Sequence, residues 1–425
     1  MNWLKHRVEP ALTVLCLFHY SQGALPLILR RGVSEGDNVS SSSFDYSLNL
    51  QIFFVIYLLT FFLLFIRWKK VLHTSLKDGW IWLLLGFAIF SFSWSLAPSK
   101  TISSWIALLI TTLFGLYFAT RYTLKEQLQL LAWMYGISVV LSILFAIVPP
   151  HYGIMGGVHA GAFRGIHLHK NGFGKIMVPG VIVFALLAID TPKYRVLLWG
   201  SCAVTVALLI LAESTTAVVN TLILVAALQI YRAFRWRYTL LVPSLFALFF
   251  ASVGSYTLLI FNSDTFFNLL GKDPSLTGRT DFWPIVVEII AKRPWLGYGY
   301  NAFWNGVSDE SAYIAQAARW EVPDSHNGLL DVWLMLGAVG VTLFLFSFWT
   351  SAVRAIAWIR LNPRPEAVWP MLYLTYMVLA NLTESSLMIQ NNMFWMLYSA
   401  TVFSVLMPPA TPASIAPAPT VPEIL

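Results

Sequence analysis

The sequence predicts an all-α integral membrane protein of about 12 transmembrane helices, with one long periplasmic loop carrying short amphipathic helices. Three observations lead there. Of 425 residues, 58% are hydrophobic, 15% aromatic and only 11% charged, and mean hydropathy is +0.69. A water-soluble domain could not bury that much apolar surface. The apolar residues also fall into about a dozen runs, each approaching the roughly 20 residues that a spanning helix needs. Lipid offers the backbone no hydrogen-bond partners, so these runs close on themselves as helices.

The chain opens with "MNWLKHRVEPALTVLCLF", a basic start and an apolar stretch without a small-residue cleavage site, read as an uncleaved first span over 11–29. Further spans are expected at 50–66, 79–97, 102–120, 128–148, 173–189, 196–212, 216–231, 239–261, 329–351, 368–384 and 392–408. Lysines and arginines orient them. With a cytoplasmic N-terminus, the inner segments hold Lys5, Arg7, Arg67, Lys69, Lys70, Lys77, Arg121, Lys125, Lys193, Arg195, Arg232, Arg235, Arg237, Arg354, Arg360 and Arg364. The short outer loops hold Arg30, Arg31 and Lys100. That asymmetry predicts an even number of spans with both ends inside. Residues 1–408 therefore read as one polytopic domain, and the Pro/Ala-rich stretch 409–425 as a disordered cytoplasmic tail.

Two outer segments, 149–172 and 262–328, break the positive-inside trend. Within the second, "LTGRTDFWPIVVEIIAKRPWLGYG" reads as an amphipathic helix with Thr280 as N-cap and Pro284 in the first turn. Ile285, Val286, Ile289 and Ile290 form its apolar stripe, with Lys292 and Arg293 at the end, a pattern suited to lying on the outer leaflet.

Several chemistries are excluded. The formal charge of +7 is a topology signal, with no basic arm for nucleic acid. There is no Gly-rich phosphate loop, no HExxH and no Asp-x-Asp. Cys16 and Cys202 lie inside apolar runs, and His151, His159, His167 and His169 match no compact zinc spacing. No metal or cofactor is expected.

What remains is Arg164 and "HKN" at 169–171, Arg279 in "LTGRTDFW", and His326 in "DSHNGLLDVW"; "ESTTAVVN" at 213–220 is a weaker fourth. Two arginines and a histidine at an outer surface suggest a phosphate-bearing lipid. Guanidinium binds phosphate bidentately and can stabilise a departing diphosphate without metal, while imidazole can take a proton from an attacking hydroxyl. Blander readings stand beside these. Arg164 and Arg279 would serve as interfacial anchors, Lys170 would snorkel to headgroups, and Asn171 and Asn327 would be N-caps.

"RGIHLHKNGFG", "LTGRTDFWPIVVEIIAKRPWLGYGYNAFW" and "DSHNGLLDVWLMLGAVG" together resemble the O-antigen ligase and polysaccharide polymerase superfamily of bacterial inner membranes, over roughly residues 130–400. "HKN" followed by glycine is most similar to the succinoglycan-type exopolysaccharide polymerases. The resemblance implies metal-independent glycosyl transfer at the periplasmic face, from an undecaprenyl-diphosphate-linked glycan to a sugar hydroxyl. It implies that Arg164 and Arg279 hold the donor diphosphate and that His326 is the catalytic base. His169, Lys170, Asn171 and Asn327 would support them. Many members carry a basic residue where this chain has Thr215, which disfavours a typical lipid A-core ligase.

The expectation is thus a polymerase of exopolysaccharide or O-antigen repeat units, working among membrane lipids, with a chain-length regulator and a flippase as possible partners. The alternatives are a ligase transferring glycan to lipid A-core, and a small-solute transporter of inorganic carbon. Few charges fall within the expected spans, which weighs against transport.

Overall fold

A computed structural model describes residues 8–33, 44–237, 239–240, 279–304, 309–318 and 322–407. In chain order the helices are α1 (Glu9–Tyr20), α2 (Leu25–Leu29), α3 (Ser47–Ile66), α4 (Trp68–Ser75), α5 (Gly79–Phe90), α6 (Pro98–Arg121), α7 (Leu124–Ile147), α8 (Pro150–Gly153), α9 (Lys170–Asp190), α10 (Arg195–Leu211), α11 (Thr215–Ala233), α12 (Arg279–Lys292), α13 (Asp309–Ala318), α14 (Gly328–Leu361), α15 (Trp369–Asn381) and α16 (Met393–Ser404). Among the described residues the only β pairing is one isolated bridge, Ile154 to Phe163.

Among the described residues, seven helices are long and apolar enough to cross a membrane: α3, α6, α7, α9, α10 with its leading turn, α11 and α14. The pair α4 and α5 also passes when taken together, although bent by 88°. Helices α1, α15 and α16 are shorter, yet their buried faces join the same core. The expected span at 239–261 lies, beyond its first two residues, outside the described residues, as does the tail at 409–425.

Of these seven spans, α9 is the most enclosed, packed by α7, α10, α11 and α15. Helices α6 and α16 approach closely because Gly115 presents no side chain to the Met396 carbonyl and Ser399. At one end of the bundle, buried Glu9 is held by Arg67 at 2.8 Å and Arg121 at 3.2 Å. Arg354 pairs with Asp78, and Lys125 with Asp190, at the same end. These cations are among those that the sequence assigns to inner segments. The segments bearing Arg164 and His326 lie at the other end.

Three local findings differ from the sequence reading, and all three shape that second end. First, the helix expected over 329–351 runs from Gly328 to Leu361 and breaks at Gly337, whose φ of 64° and ψ of −170° are open to glycine. The break exposes backbone groups that "PWLGYG" at 294–299 satisfies. Tyr298 N donates to Leu334 O at 2.8 Å, Gly299 N to Met335 O at 2.9 Å, and Ala338 N to Pro294 O at 2.8 Å. A Cβ at Gly337 would run into the Trp295 carbonyl, so close approach and conformation both demand glycine here.

Second, the helix expected over 368–384 stops at Asn381, whose carboxamide oxygen accepts from Ser386 N at 2.8 Å. Residues 382–392 are irregular and mostly half-buried, with Ser386, Leu387 and Met388 almost wholly inside. Third, the apolar stripe of α12 does not face a leaflet. Val286, Ile289 and Ile290 pack with Tyr298, Phe303, Ile314 and Leu334 in a second, smaller core. Thr280 lies inside the helix rather than ahead of it, and Pro284 falls beyond the first turn.

Candidate active site

His326 stands on the tight turn before α14. Its φ is 51°, and its backbone N–H donates to Asp324 Oδ1 at 2.8 Å. The same carboxylate oxygen lies 3.4 Å from His326 Nδ1. Asn327 caps α14, its Oδ1 accepting from Leu329 N at 3.1 Å and Leu330 N at 3.2 Å. Gly328 packs so tightly on Asn381 that a Cβ would overlap that side chain.

The turn is anchored from below by Asp331, which is 5% exposed. Trp304 Nε1 donates to its Oδ1 at 2.8 Å, Ser325 N donates at 3.1 Å, and Ser385 Oγ donates to Oδ2. Asp331 thus joins the 298–304 segment, the His326 turn and the 382–392 segment. The adjacent Ser386 accepts from Lys175 Nζ at 3.1 Å. Two consecutive serines therefore tie the start of α14 to the start of α9.

That start is capped by His169, not by Asn171: His169 Nδ1 accepts from Asn171 N at 3.1 Å. Asn171 instead turns its Oδ1 to the Ser214 hydroxyl at 3.3 Å, and Lys170 N donates to Met155 Sδ at 3.3 Å. Between the first turns of α9 and α11 and the end of α15 lies a small cleft of about 20 Å³, lined by Asn171, Lys175, Ser214, Asn220, Tyr376 and Glu384 among others. His167 nearby is no cation, because burial, with Lys175 adding to it, pushes its imidazole down to about 4.

Arg164, expected at the donor diphosphate, is deeply buried. It is 1% exposed, and its guanidinium donates to backbone carbonyls: Tyr152 at 2.9 Å, His151 at 2.8 Å, Leu168 at 3.4 Å and Gly32. In this arrangement it organises the 149–169 segment. Arg279 opens α12, and its side chain lies outside the described residues. The structure thus brings His326, His169, Lys170, Asn171 and Asn327 to one end of the bundle.

Residues 200–345 match the family described as O-antigen ligase. The chain is also 26% identical over 298 residues to the exopolysaccharide production protein ExoQ of Rhizobium meliloti (strain 1021). That alignment covers 66% of this chain and 66% of ExoQ, just under two thirds of its length. The chain is thus similar, over about a third of its length, to the O-antigen ligase family, and more widely to an exopolysaccharide production protein.

Its apolar helices make it a multi-pass membrane protein. The family match runs from α10 into the second half of α14, so it takes in Ser214, Arg279, His326 and Asp331. Arg164, Lys170, Lys175 and Glu384 lie outside it.

Sequence reasoning missed Asp331 and Glu384. Both stand at ends of apolar runs, where a carboxylate reads as ordinary helix punctuation; only the fold turns them inward. Replacing Asp331 with alanine would orphan the Trp304, Ser325 and Ser385 donors at about 1–3 kcal/mol each. An Asp331→Ala protein in detergent should therefore melt well below wild type, and Asp331→Asn, which keeps an acceptor, should fall in between. Equal melting of wild type and Asp331→Ala would remove Asp331 from the anchoring role.

Proposed function

We propose that the protein polymerises undecaprenyl-diphosphate-linked oligosaccharide repeat units at the periplasmic face of the bacterial inner membrane, with both termini cytoplasmic. Similarity of residues 200–345 to the O-antigen ligase family, and of two thirds of the chain to ExoQ, supports a ligase- or polymerase-like role in exopolysaccharide synthesis. The observation that carries the mechanism is the His326–Asp324 pair on a turn tied to the polar cleft.

In this reading an acceptor sugar hydroxyl attacks the anomeric carbon of the donor glycan. The new C–O bond forms as the bond from that carbon to the lipid diphosphate breaks. Asp324 holds Nδ1 of His326, so Nε2 takes the hydroxyl proton. Arg279 stabilises the departing diphosphate, and Lys170 adds charge at the mouth of the site. Arg164 acts indirectly, by holding the 149–169 segment in shape. Direct attack predicts inversion at the anomeric carbon.

A ligase is the second reading, favoured by the description of the matched family. Deleting the gene and analysing both surface and lipid-linked glycans separates the two. Single repeat units accumulating on undecaprenyl diphosphate, with no polymer, are expected. Long polymer stranded on its carrier would mean ligation, and unchanged glycans would overturn both in favour of transport.

A further inference from the structure

The stretch "WKKVLHTSL" at 68–76 is too short and too basic to cross a membrane, yet Trp68, Leu72 and Leu76 recur on one face at intervals of four. In the structure all three are half or more exposed, as are Phe65 and Ile66 just before them. Among the described residues nothing covers that stripe. The packing face of α4 is another one: Thr74 is buried, Val71 lies against the main core, and the helix rests on α6.

Helix α4 stands at 88° to α5. The corner between them is fixed on both sides. Trp82 Nε1 donates to Ser75 O at 3.0 Å, while Asp78 accepts from Ile81 N at 3.0 Å as the cap of α5 and pairs with Arg354. With α5 crossing the bilayer, α4 therefore lies in its plane, at the end of the bundle where Arg67 and Arg121 meet Glu9.

Cations gather on the same helix. Lys69, Lys70 and Lys77 are all exposed, and Lys69 Nζ rests 5.8 Å from the centre of the Trp68 ring. Lys70 Nζ donates to Thr120 O at the end of α6, and Arg67 and Arg121 repel its charge. The carboxylates within reach are already engaged. Glu9 is shared by the two arginines, and Glu126 accepts from Thr123 N at 2.8 Å in the capping box of α7. Three cations thus stand together with room for a further anion. An apolar stripe edged by lysines in the plane of the bilayer matches an amphiphile with a negative head. A zwitterionic headgroup fits less well, because its own ammonium would add to the repulsion.

We infer that α4 is a surface helix that binds acidic phospholipid, with Trp68, Leu72 and Leu76 among the acyl chains and the headgroup phosphate among Arg67, Lys70 and Arg121. The inference is independent of the glycan chemistry. It takes from the proposed function only the orientation that makes this the cytoplasmic leaflet.

The test uses the full-length protein. In nanodiscs containing phosphatidylglycerol, a spin label on Leu76→Cys should be reached by oxygen, as in the acyl region. A label on Lys77→Cys should be reached by a water-soluble nickel chelate; the native cysteines are buried. Equal access of the chelate to both labels would overturn the in-plane insertion. In detergent, native mass spectrometry should show phosphatidylglycerol binding in preference to phosphatidylcholine. Lys70→Gln should weaken it about fivefold, and Lys69→Gln combined with Lys70→Gln about 25-fold. Lys70→Arg should bind as wild type. Lys193→Gln, an exposed lysine away from α4, should change nothing. Equal binding of phosphatidylcholine, or equal weakening by Lys193→Gln, would overturn the site in favour of diffuse attraction. Displacement by inorganic phosphate at the concentration of the lipid would overturn the lipid assignment. Melting near wild type in lipid-free detergent qualifies each variant. Reaction of Lys77→Cys with an impermeant thiol reagent added to intact spheroplasts would overturn the orientation, and with it the leaflet, while leaving the lipid site.

Discussion

Alanine in place of His326 is expected to abolish polymer while leaving the amount of inserted protein close to wild type. The imidazole is only partly buried, with 16% of its side-chain surface exposed, and Asp324 Oδ1 lies 3.4 Å from its Nδ1. Removing it therefore leaves the anchors of the turn intact, since those belong to Asp331, Asn327 and Gly328. A general base typically contributes about 10²–10⁴-fold to a rate, enough to carry polymer below detection in cells. The position itself is in the left-handed region, which asparagine tolerates better than most residues. His326→Asn should accordingly match the loss of activity with even less effect on folding. Asp324→Asn should keep a smaller part of the activity, because it leaves the imidazole present but less firmly oriented. The measurement is glycosyl transfer by membranes carrying equal amounts of each protein. Wild-type polymer from His326→Ala would end the role of His326 as base.

The sequence made the class of fold legible because lipid leaves so few options. Runs of apolar residues at spanning length become helices, and the basic residues between them gather at one end, as Glu9, Asp78 and Asp190 with their partners do. It also made legible the segments that carry chemistry, because "HKN", "LTGR" and "DSHN" stand out as polar islands. It did not reveal how those islands are held. Hydropathy averages over windows, so it ran straight helices through Gly337 and past Asn381. The breaks depend on distant segments, 294–299 in one case and Ser386 in the other, that supply or accept the missing hydrogen bonds. Asp331 and Glu384 were overlooked for the same reason. A lone carboxylate at a helix end has no local signature of the partner that the fold brings to it.

Arg164 is the residue for which sequence and structure give opposing expectations, and its substitution separates them. As a ligand arginine it would be dispensable for folding, and its loss would appear in affinity. As the structure has it, the guanidinium gathers carbonyls from Gly32, His151, Tyr152 and Leu168, joining the end of the first helical hairpin to the 149–169 segment. Hydrogen bonds to a charged donor contribute about 1.5–3 kcal/mol each, and buried carbonyls left without donors add to the loss. Even two such losses approach the whole stability of a marginal protein. Arg164→Ala should thus yield little monodisperse protein, and what is recovered should melt far below wild type. Lysine offers one ammonium where a planar fork serves several carbonyls, so Arg164→Lys should rescue only part of the melting temperature. The affinity of its folded fraction for undecaprenyl phosphate should nonetheless stay near wild type, since the Arg164 guanidinium is engaged by backbone carbonyls. A variant that melts normally but loses affinity tenfold would reverse this assignment. It would require the 149–169 segment to rearrange when substrate binds, releasing the arginine from its carbonyls toward the diphosphate.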